Sequence, residues 1–314
     1  TGGHTISRLL KEMSFTNLIP VENQMAPNGE FPTCKQPNPE NVDAFEEALK
    51  VAEKYKADLL IATDPDCDRI GFMIKEGNHY KMLNGNQIGS LFMEYVLSSR
   101  QNLTHSHYVV NTIVSSDLAK AQADFYGVTL KKTLTGFKFI GEQIELDSSH
   151  FVMGYEESFG YLFAPHVRDK DAVMGTLLAI EMAEHYRQKG MSLSDLLDTI
   201  YQRHGYFVDE TISKSFEGKE GGTVMASIME KFRTHSEGLF TYTEKIDYAV
   251  DETGLPKSDV IKFYLDANSW MVLRPSGTEP KLKIYFSICD PVYEKAKQKL
   301  EYFKTLMLEK VLSE

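Results

Sequence analysis

What most limits the fold of this chain is an alternation. Over the first two hundred residues, short apolar runs trade places with segments of helical period. Val42, Phe45, Leu49 and Ala52 recur at helical spacing and predict a helix over 39–55. Asn38 suits its cap, Pro39 its first position, and Glu40 the positive end of its dipole. Leu59 to Ala62 then reads as a short buried strand, followed by an Asp-rich turn and a second strand over 70–74. Helices are predicted over 86–99, 117–126 and 171–189, with one more ending at Arg203. Strands are predicted over 108–114, 128–132 and 151–153. Gly127 and Gly190 stop two of the helices. This order gives α/β layers. After Gly205 the order changes to a strand, a helix over 223–232, several strands within 245–288 and a last helix over 292–312. That is an α+β pattern, and it sets a domain boundary near Gly205. A second boundary is expected near Leu83.

Composition narrows the partners. The chain has 314 residues, enough for two or three domains. Its formal net charge is −11, a field that repels nucleic acid and anionic membrane. Its three cysteines lie far apart with no C-x-x-C pair, so a disulfide framework or zinc ribbon is not expected. This reads as a reducing, cytoplasmic protein. No apolar run approaches the length of a membrane span. The opening Thr1-Gly2-Gly3-His4 lacks the regions of a signal peptide, and the chain reads as beginning mid-protein.

Three loops carry chemistry. The first is Asp64-Pro65-Asp66-Cys67-Asp68-Arg69, directly after a predicted strand. Carboxylates at alternate positions converge on one hard cation, and Mg²⁺ takes oxygen ligands while leaving room for water or phosphate oxygens. A solvated, inert Asp-rich turn is the plain alternative. An EF-hand fails, because Arg69 stands where Gly is required and Lys75 where Glu is required. A haloacid-dehalogenase-like phosphatase, with Asp64 as nucleophile and Asp66 as acid, is weakened by Asp68, where that pattern wants Thr or Val.

The second loop is Gly154-Tyr155-Glu156-Glu157-Ser158-Phe159-Gly160. A carboxylate and a hydroxyl two residues apart suit pairs of sugar hydroxyls, and glycines let backbone approach a ligand. A glycosidase pair at Glu156 and Glu157 is disfavoured, because neighbours on an extended loop point apart. G-x-S-x-G is absent. Downstream, His166, Arg168 and Lys170 place three cationic or protonatable side chains just before a helix. The third loop is Arg274-Pro275-Ser276-Gly277-Thr278-Glu279-Pro280-Lys281 between strand-like flanks. Arg grips phosphate bidentately, and hydroxyls with Gly amides form an anion nest. A plain hairpin turn is the alternative, and no Walker A loop occurs.

Together, in this order, the loops resemble those of the α-D-phosphohexomutase family, the phosphoglucomutase/phosphomannomutase enzymes. Members carry D-x-D-x-D-R, G-E-x-S and R-x-S-G-T loops, matched here by Asp64 to Arg69, Glu156 to Ser158 and Arg274 to Thr278. Thr133 to Lys138 is similar to the family's T-G-aromatic-K loop, and Thr1-Gly2-Gly3 looks like the end of its H-G-T-G-G segment. The resemblance spans essentially the whole chain.

The resemblance implies two α/β domains with mixed sheets, over 1–83 and 84–204, followed by a smaller α+β domain over 205–314. These correspond to family domains two, three and four. It implies interconversion of glucose 1-phosphate and glucose 6-phosphate through a 1,6-bisphosphate, with mannose phosphates as further substrates. Asp64, Asp66 and Asp68 would hold Mg²⁺, and Arg69 would orient the loop and the reacting phosphate. Glu156 and Ser158 would grip sugar hydroxyls, with Thr135, Gly136 and Lys138 on the opposite wall. Arg274, Ser276, Gly277 and Thr278 would bind the non-reacting phosphate. His166, Arg168 and Lys170 take phosphate or proton-transfer roles. Glucose 1,6-bisphosphate is implied as activator and intermediate. The family's phosphoserine sits in a T-A-S-H-N-P type loop. Neither Ser106-His107 nor Ser149-His150 is followed by Asn-Pro, so no residue here takes that role. The expectation is a chain that lacks the phosphoserine domain and does not turn over alone. A non-catalytic sugar-phosphate-binding protein is the other alternative.

Departures from the family pattern bear on detail. Cys67 stands where many relatives have Gly, predicting a stiffer loop. Tyr155 and Phe159 are expected to crowd the sugar loop.

Overall fold

The computed structural model of the chain describes residues 1–216, 220–277 and 279–312, with residues 311 and 312 in backbone only. It divides into two compact units, 1–113 with 119–200 and 114–118 with 201–314.

The first unit opens with helix α1 (Gly2–Glu12), which the sequence pattern did not predict. Helix α2 (Glu46–Tyr55) starts later than expected, after a 3-10 turn at Val42–Phe45. The reason is local. Asn38 Oδ1 accepts from the Glu40 amide at 3.0 Å, and the Asn41 amide closes back on the Asn38 carbonyl at 3.0 Å. Asn38 therefore makes its own turn rather than capping a helix. Strands β1 (Leu59–Thr63), β2 (Ile70–Glu76) and β3 (His79–Met82) form an antiparallel sheet in that order. Phe45, Ala48, Ala52, Leu60 and Met73 pack α2 against it.

Helix α3 (Gly85–Ser99) follows, capped by Asn84 and Gln87 in a reciprocal capping box. Then come β4 (Tyr108–Thr112), α4 (Leu118–Tyr126), β5 (Thr129–Thr133), α5 (Phe137–Leu146), β6 (Phe151–Glu156), β7 (Gly160–Leu162), α6 (Ala172–Gln188) and α7 (Leu193–His204). The sheet order is β5-β4-β6-β7. β4 lies parallel to both β5 and β6, while β7 returns antiparallel, so this sheet is mixed. Phe137, Ile140 and Ile144 recur at helical spacing on α5 and pack with Tyr108, Val110 and Phe151. The T-G-F-K segment is thus a helix start, with Lys138 already on α5.

The second unit holds β8 (Tyr206–Ser215), α8 (Gly221–Thr234), β9 (Glu244–Asp247), β10 (Ile261–Tyr264), β11 (Trp270–Pro275), β12 (Lys281–Asp290) and α9 (Tyr293–Leu312). Its antiparallel sheet runs β8-β12-β11-β10-β9. Phe232, Phe263, Ile284, Leu300 and Met307 lie in its core. The chain is therefore α/β with a C-terminal sheet domain. Among the described residues, no helix is long and apolar enough to cross a membrane.

Candidate active site

The Asp-rich loop is the turn between β1 and β2. One oxygen from each of Asp64, Asp66 and Asp68 lies within 4.8 Å of the others. Asp64 Oδ1 folds the turn by accepting the amides of Asp68 at 3.1 Å and Arg69 at 2.9 Å. Burial pushes the Asp64 carboxyl up to about 6, its neighbours Asp68 and Asp66 add to the rise, and the Arg69 amide opposes it. The donor set fits a hard divalent cation: three carboxylates converge, and a cation would offset the burial and mutual repulsion that raise the Asp64 carboxyl. Cys67 takes the left-handed conformation at φ +66° with its side chain buried.

Arg69 leaves the loop toward Glu40, with Nη1 to Oε1 at 3.1 Å, and its Nε stays 3.9 Å from Asp64 Oδ2. Glu40 sits 29 residues upstream, so loop motifs alone do not reveal this partner. At Arg69 the chain is stitched to the sugar loop. Arg69 bridges Gly160, and the Ile70 amide donates to the Phe159 carbonyl at 3.1 Å.

The Gly154–Gly160 loop, expected to bind sugar, is the β6–β7 turn. Glu156 ends β6 at the C-terminal edge of the parallel strands, where α/β sheets bind ligands. Its Oε1 accepts from the Gly136 amide at 2.7 Å. Gly136 has φ +118°, open to glycine and strained for other residues, and directly precedes α5. Glu156 and Gly136 are therefore neighbours rather than opposite walls. Burial pushes Glu156 up to about 7, and the Glu157 charge adds to the rise. The Gly136 amide, Lys170 and Arg69 pull the other way. Glu157 points elsewhere, accepting from Thr112 Oγ1 at 2.9 Å. Ser158 is half-buried in the turn, and Thr135 half-buried before Gly136. Tyr155 and Phe159 do not crowd the loop: Tyr155 is buried against α3 at Gly89, and Phe159 lies against β2 at Gly71.

Lys170 joins the two loops. Its Nζ meets Asp68 Oδ2 at 2.5 Å and Asp169 Oδ1 at 3.3 Å. Burial works against its charge, yet the Asp68 and Asp169 carboxylates leave the ammonium above its ordinary value. Lys170, Lys138, His166 and Arg168 line one cleft of about 730 Å³, with Gly141 at its wall. Asp171 also faces it but caps α6 through the amides of Val173 and Met174. Arg168 is braced by Glu145 Oε2 at 3.1 Å and by the Pro165 carbonyl.

In the second unit the loop expected to bind phosphate joins β11 to β12. Arg274, next to last in β11, lies opposite Lys283 and donates to Tyr285 Oη at 3.3 Å. The Ser276 amide donates to the Lys281 carbonyl at 2.7 Å. Gly277 is exposed, and a Cβ there would meet nothing within 4 Å. Thr278 lies outside the described residues.

Comparison with known proteins agrees in order and extent. The sequence matches the description "Phosphoglucomutase/phosphomannomutase, alpha/beta/alpha domain II" over residues 1–77 and domain III over 84–204. The C-terminal domain of the same enzymes matches over 241–301. This chain belongs to the phosphoglucomutase/phosphomannomutase family. It is 38% identical over 312 residues to a phosphoglucomutase of Staphylococcus aureus strain MRSA252, covering 94% of this chain and 56% of that protein. A phosphoglucomutase of Staphylococcus epidermidis strain ATCC 12228 is 39% identical over 301 residues, covering 90% of this chain and 55% of that protein. The chain thus spans about half the length of the curated relatives it matches. Among solved structures it resembles the open form of pp63/parafusin, a phosphoglucomutase from Paramecium. The TM-score is 0.71 at 18% identity, over 91% of this chain and 52% of that one. A family protein from Burkholderia thailandensis gives 0.67 at 15% identity, over 99% and 58%. At these identities the two structures speak for the fold. Nothing in the site or the comparisons supports the phosphatase reading, and Asp64 Oδ1 is already committed to two backbone amides.

Proposed function

We propose that this chain supplies the metal-, sugar- and phosphate-binding parts of a phosphohexomutase. The enzyme interconverts glucose 1-phosphate and glucose 6-phosphate through glucose 1,6-bisphosphate, and accepts mannose phosphates. One observation carries the reading: Lys170 reaches from the cationic cleft to Asp68 of the carboxylate triad, while Arg69 of that triad's loop bridges Gly160 of the sugar turn. Carboxylates for a cation, a carboxyl and hydroxyl for sugar, and cations for phosphate are what a phosphoryl shuttle on a hexose requires.

Asp64, Asp66 and Asp68 would hold Mg²⁺, which when bound supplies charge neutralisation at a transferring phosphoryl group. Arg69, tethered by Glu40, orients the reacting phosphate beside them. Glu156 and Ser158 bind sugar hydroxyls, and Gly136 fixes the Glu156 carboxyl while Thr135 flanks it. Lys138, His166, Arg168 and Lys170 bind phosphate, and His166 and Lys170 are the candidates for proton transfer. Arg274, Ser276, Gly277 and Thr278 bind the phosphate that is not reacting. In this scheme the domains run over 1–83, 84–204 and 205–314, and the enzyme works in the cytoplasm without nucleic acid or membrane partners. The phosphoryl donor is a group outside these 314 residues, because none of the chain's serines carries the T-A-S-H-N-P context.

Calorimetry with the isolated chain tests this. Glucose 6-phosphate should bind in Mg²⁺ and much more weakly in EDTA. A coupled assay from glucose 1-phosphate should show no turnover. Absence of any Mg²⁺-dependent hexose-phosphate binding would sink the reading, and full turnover by this chain would sink the assignment of the donor.

A further inference from the structure

Three consecutive residues of the sugar turn are held by three different tethers. Tyr155 Oη accepts from Asn111 Nδ2 at 3.1 Å. Glu156 accepts from the Gly136 amide at 2.7 Å. Glu157 accepts from Thr112 Oγ1 at 2.9 Å. Asn111 and Thr112 are the last two residues of β4, fully buried, and Asn111 pairs in register with Tyr155 on β6. The fit is tight at the Glu157 backbone as well. Gly85, the first residue of α3, sits directly against the Glu157 backbone, and a Cβ there would overlap the Glu157 carbonyl.

The geometry follows from the alternation of side chains at a strand end. Neighbours on an extended segment point to opposite sides, so fixing Glu157 on one side fixes the side on which Glu156 emerges. Backbone pairing holds the turn at Glu156 and Gly160, but without the anchor at 157 its leading residues lose their side-chain tether, and rotation there would swing Glu156 off Gly136.

We propose that Glu157, anchored by the Thr112 hydroxyl, is a positioning residue that sets the direction of Glu156 and thereby the discrimination between a sugar phosphate and a bare phosphate. This rests on the reading of Glu156 as the ligand of sugar hydroxyls. Glu157 touches no ligand in this scheme and acts through its neighbour. The charged groups facing Glu156 are Glu157 on the same turn, Lys170 ahead of α6 and Arg69 after the metal loop. Of these only Glu157 raises its proton affinity.

The test uses the whole chain in Mg²⁺, with glucose 6-phosphate and inorganic phosphate as probes in calorimetry. Thr112→Val keeps the side-chain volume and removes the donor, Thr112→Ser restores the donor, and Glu157→Ala removes the acceptor. T112V and E157A should lose roughly tenfold in glucose 6-phosphate affinity, the usual weight of one hydrogen bond to a charged group. Inorganic phosphate affinity should stay unchanged, and T112S should bind both probes like the parent. Equal loss of both probes, unchanged sugar-phosphate affinity, or failure of T112S to rescue would overturn the proposal. If the parent chain binds no glucose 6-phosphate, the functional reading has failed by itself. The positioning role is then decided without ligand by ¹⁵N NMR of the Gly136 amide, which donates to Glu156. A Gly136 amide signal that stays in place in both T112V and E157A overturns it, and a displaced signal in both, restored in T112S, supports it.

Discussion

Lys170 Nζ lies 2.5 Å from Asp68 Oδ2, so one ammonium serves both the carboxylate triad and the cationic cleft. A cation bound by the triad and the Lys170 charge compete for the same carboxylate. Lys170→Met should therefore raise Mg²⁺ affinity by roughly three- to tenfold, the effect of one nearby charge in a partly solvated site. The same change should weaken inorganic phosphate binding. Calorimetric titration of Mg²⁺ into both proteins checks this, and equal Mg²⁺ affinities would show that the ion pair carries no coupling.

Glu156 should make stability depend on pH. Its carboxyl is pushed from an ordinary 4.5 up to about 7, chiefly by burial. The folded state then binds more protons than the unfolded chain between those values. Stability from this group is full below about 4.5 and is lost as the pH rises through about 7. The loss is on the order of 3 kcal/mol at most. Glu156→Gln has no such titration, so its denaturation midpoint should change less than the parent's over that window. Parallel profiles for the two proteins would refute the shift.

Cys67 should respond to substitution in an unusual order. At φ +66° it carries the cost of a left-handed side-chain-bearing residue, about 1 kcal/mol. Removing the buried sulfur costs stability in either replacement, but only glycine also relieves the backbone. Cys67→Gly should therefore be more stable than Cys67→Ala, the reverse of the usual ranking for these two residues. Chemical denaturation of the pair decides the matter.

The glycines divide in the same way. Gly85→Ala would drive a methyl into the Glu157 carbonyl, displacing the sugar turn. A loss of about 2 kcal/mol or more in stability is expected, since rigid backbone cannot give way. Gly277→Ala meets open space and should fall within about 0.5 kcal/mol of the parent. Thermal melts of both variants test the contrast, which disappears if the 85 position tolerates the methyl.

The sequence carried the chemistry of the site more fully than its wiring. Asp64 to Arg69, Glu156 to Ser158 and Arg274 to Lys281 were legible because loops advertise ligand types in order, and the strand–helix alternation exposed the α/β layers. Other elements had weak signals. β7 has three residues, too few for a period, and α5 was hidden because Thr135-Gly136 reads as a turn and the helix begins immediately after it. The partners of the site residues lie far off in the chain. Glu40 serves Arg69 from 29 residues away, and Thr112 serves Glu157 from 45. No local pattern encodes such contacts. The backbone at Cys67 is similarly silent, since a non-glycine in the left-handed region contradicts the local preference that sequence reasoning uses.

The three aspartates should separate metal binding from folding. Asp66 is exposed and contributes its oxygen to the triad, whereas Asp64 also accepts two backbone amides that close the turn. Asp66→Asn should lower Mg²⁺ affinity by tenfold or more, on the order of the loss of one charged ligand, while leaving the apo melting temperature unchanged. Asp64→Asn should lose Mg²⁺ binding too, but its amide can retain only an uncharged acceptor for the amides of Asp68 and Arg69. Hydrogen bonds to charged groups are the stronger ones, so weaker acceptance lowers stability. Neutralising Asp64 also removes a buried, reluctant charge, which works in the opposite direction at neutral pH. The two effects are separated by pH. Below about 6 the parent's Asp64 is already protonated, so D64N should match the parent there and diverge only above it. Melting curves in EDTA across that midpoint, with Mg²⁺ titrations beside them, measure both quantities. A D66N protein that binds Mg²⁺ as tightly as the parent would remove the triad from consideration as the metal site.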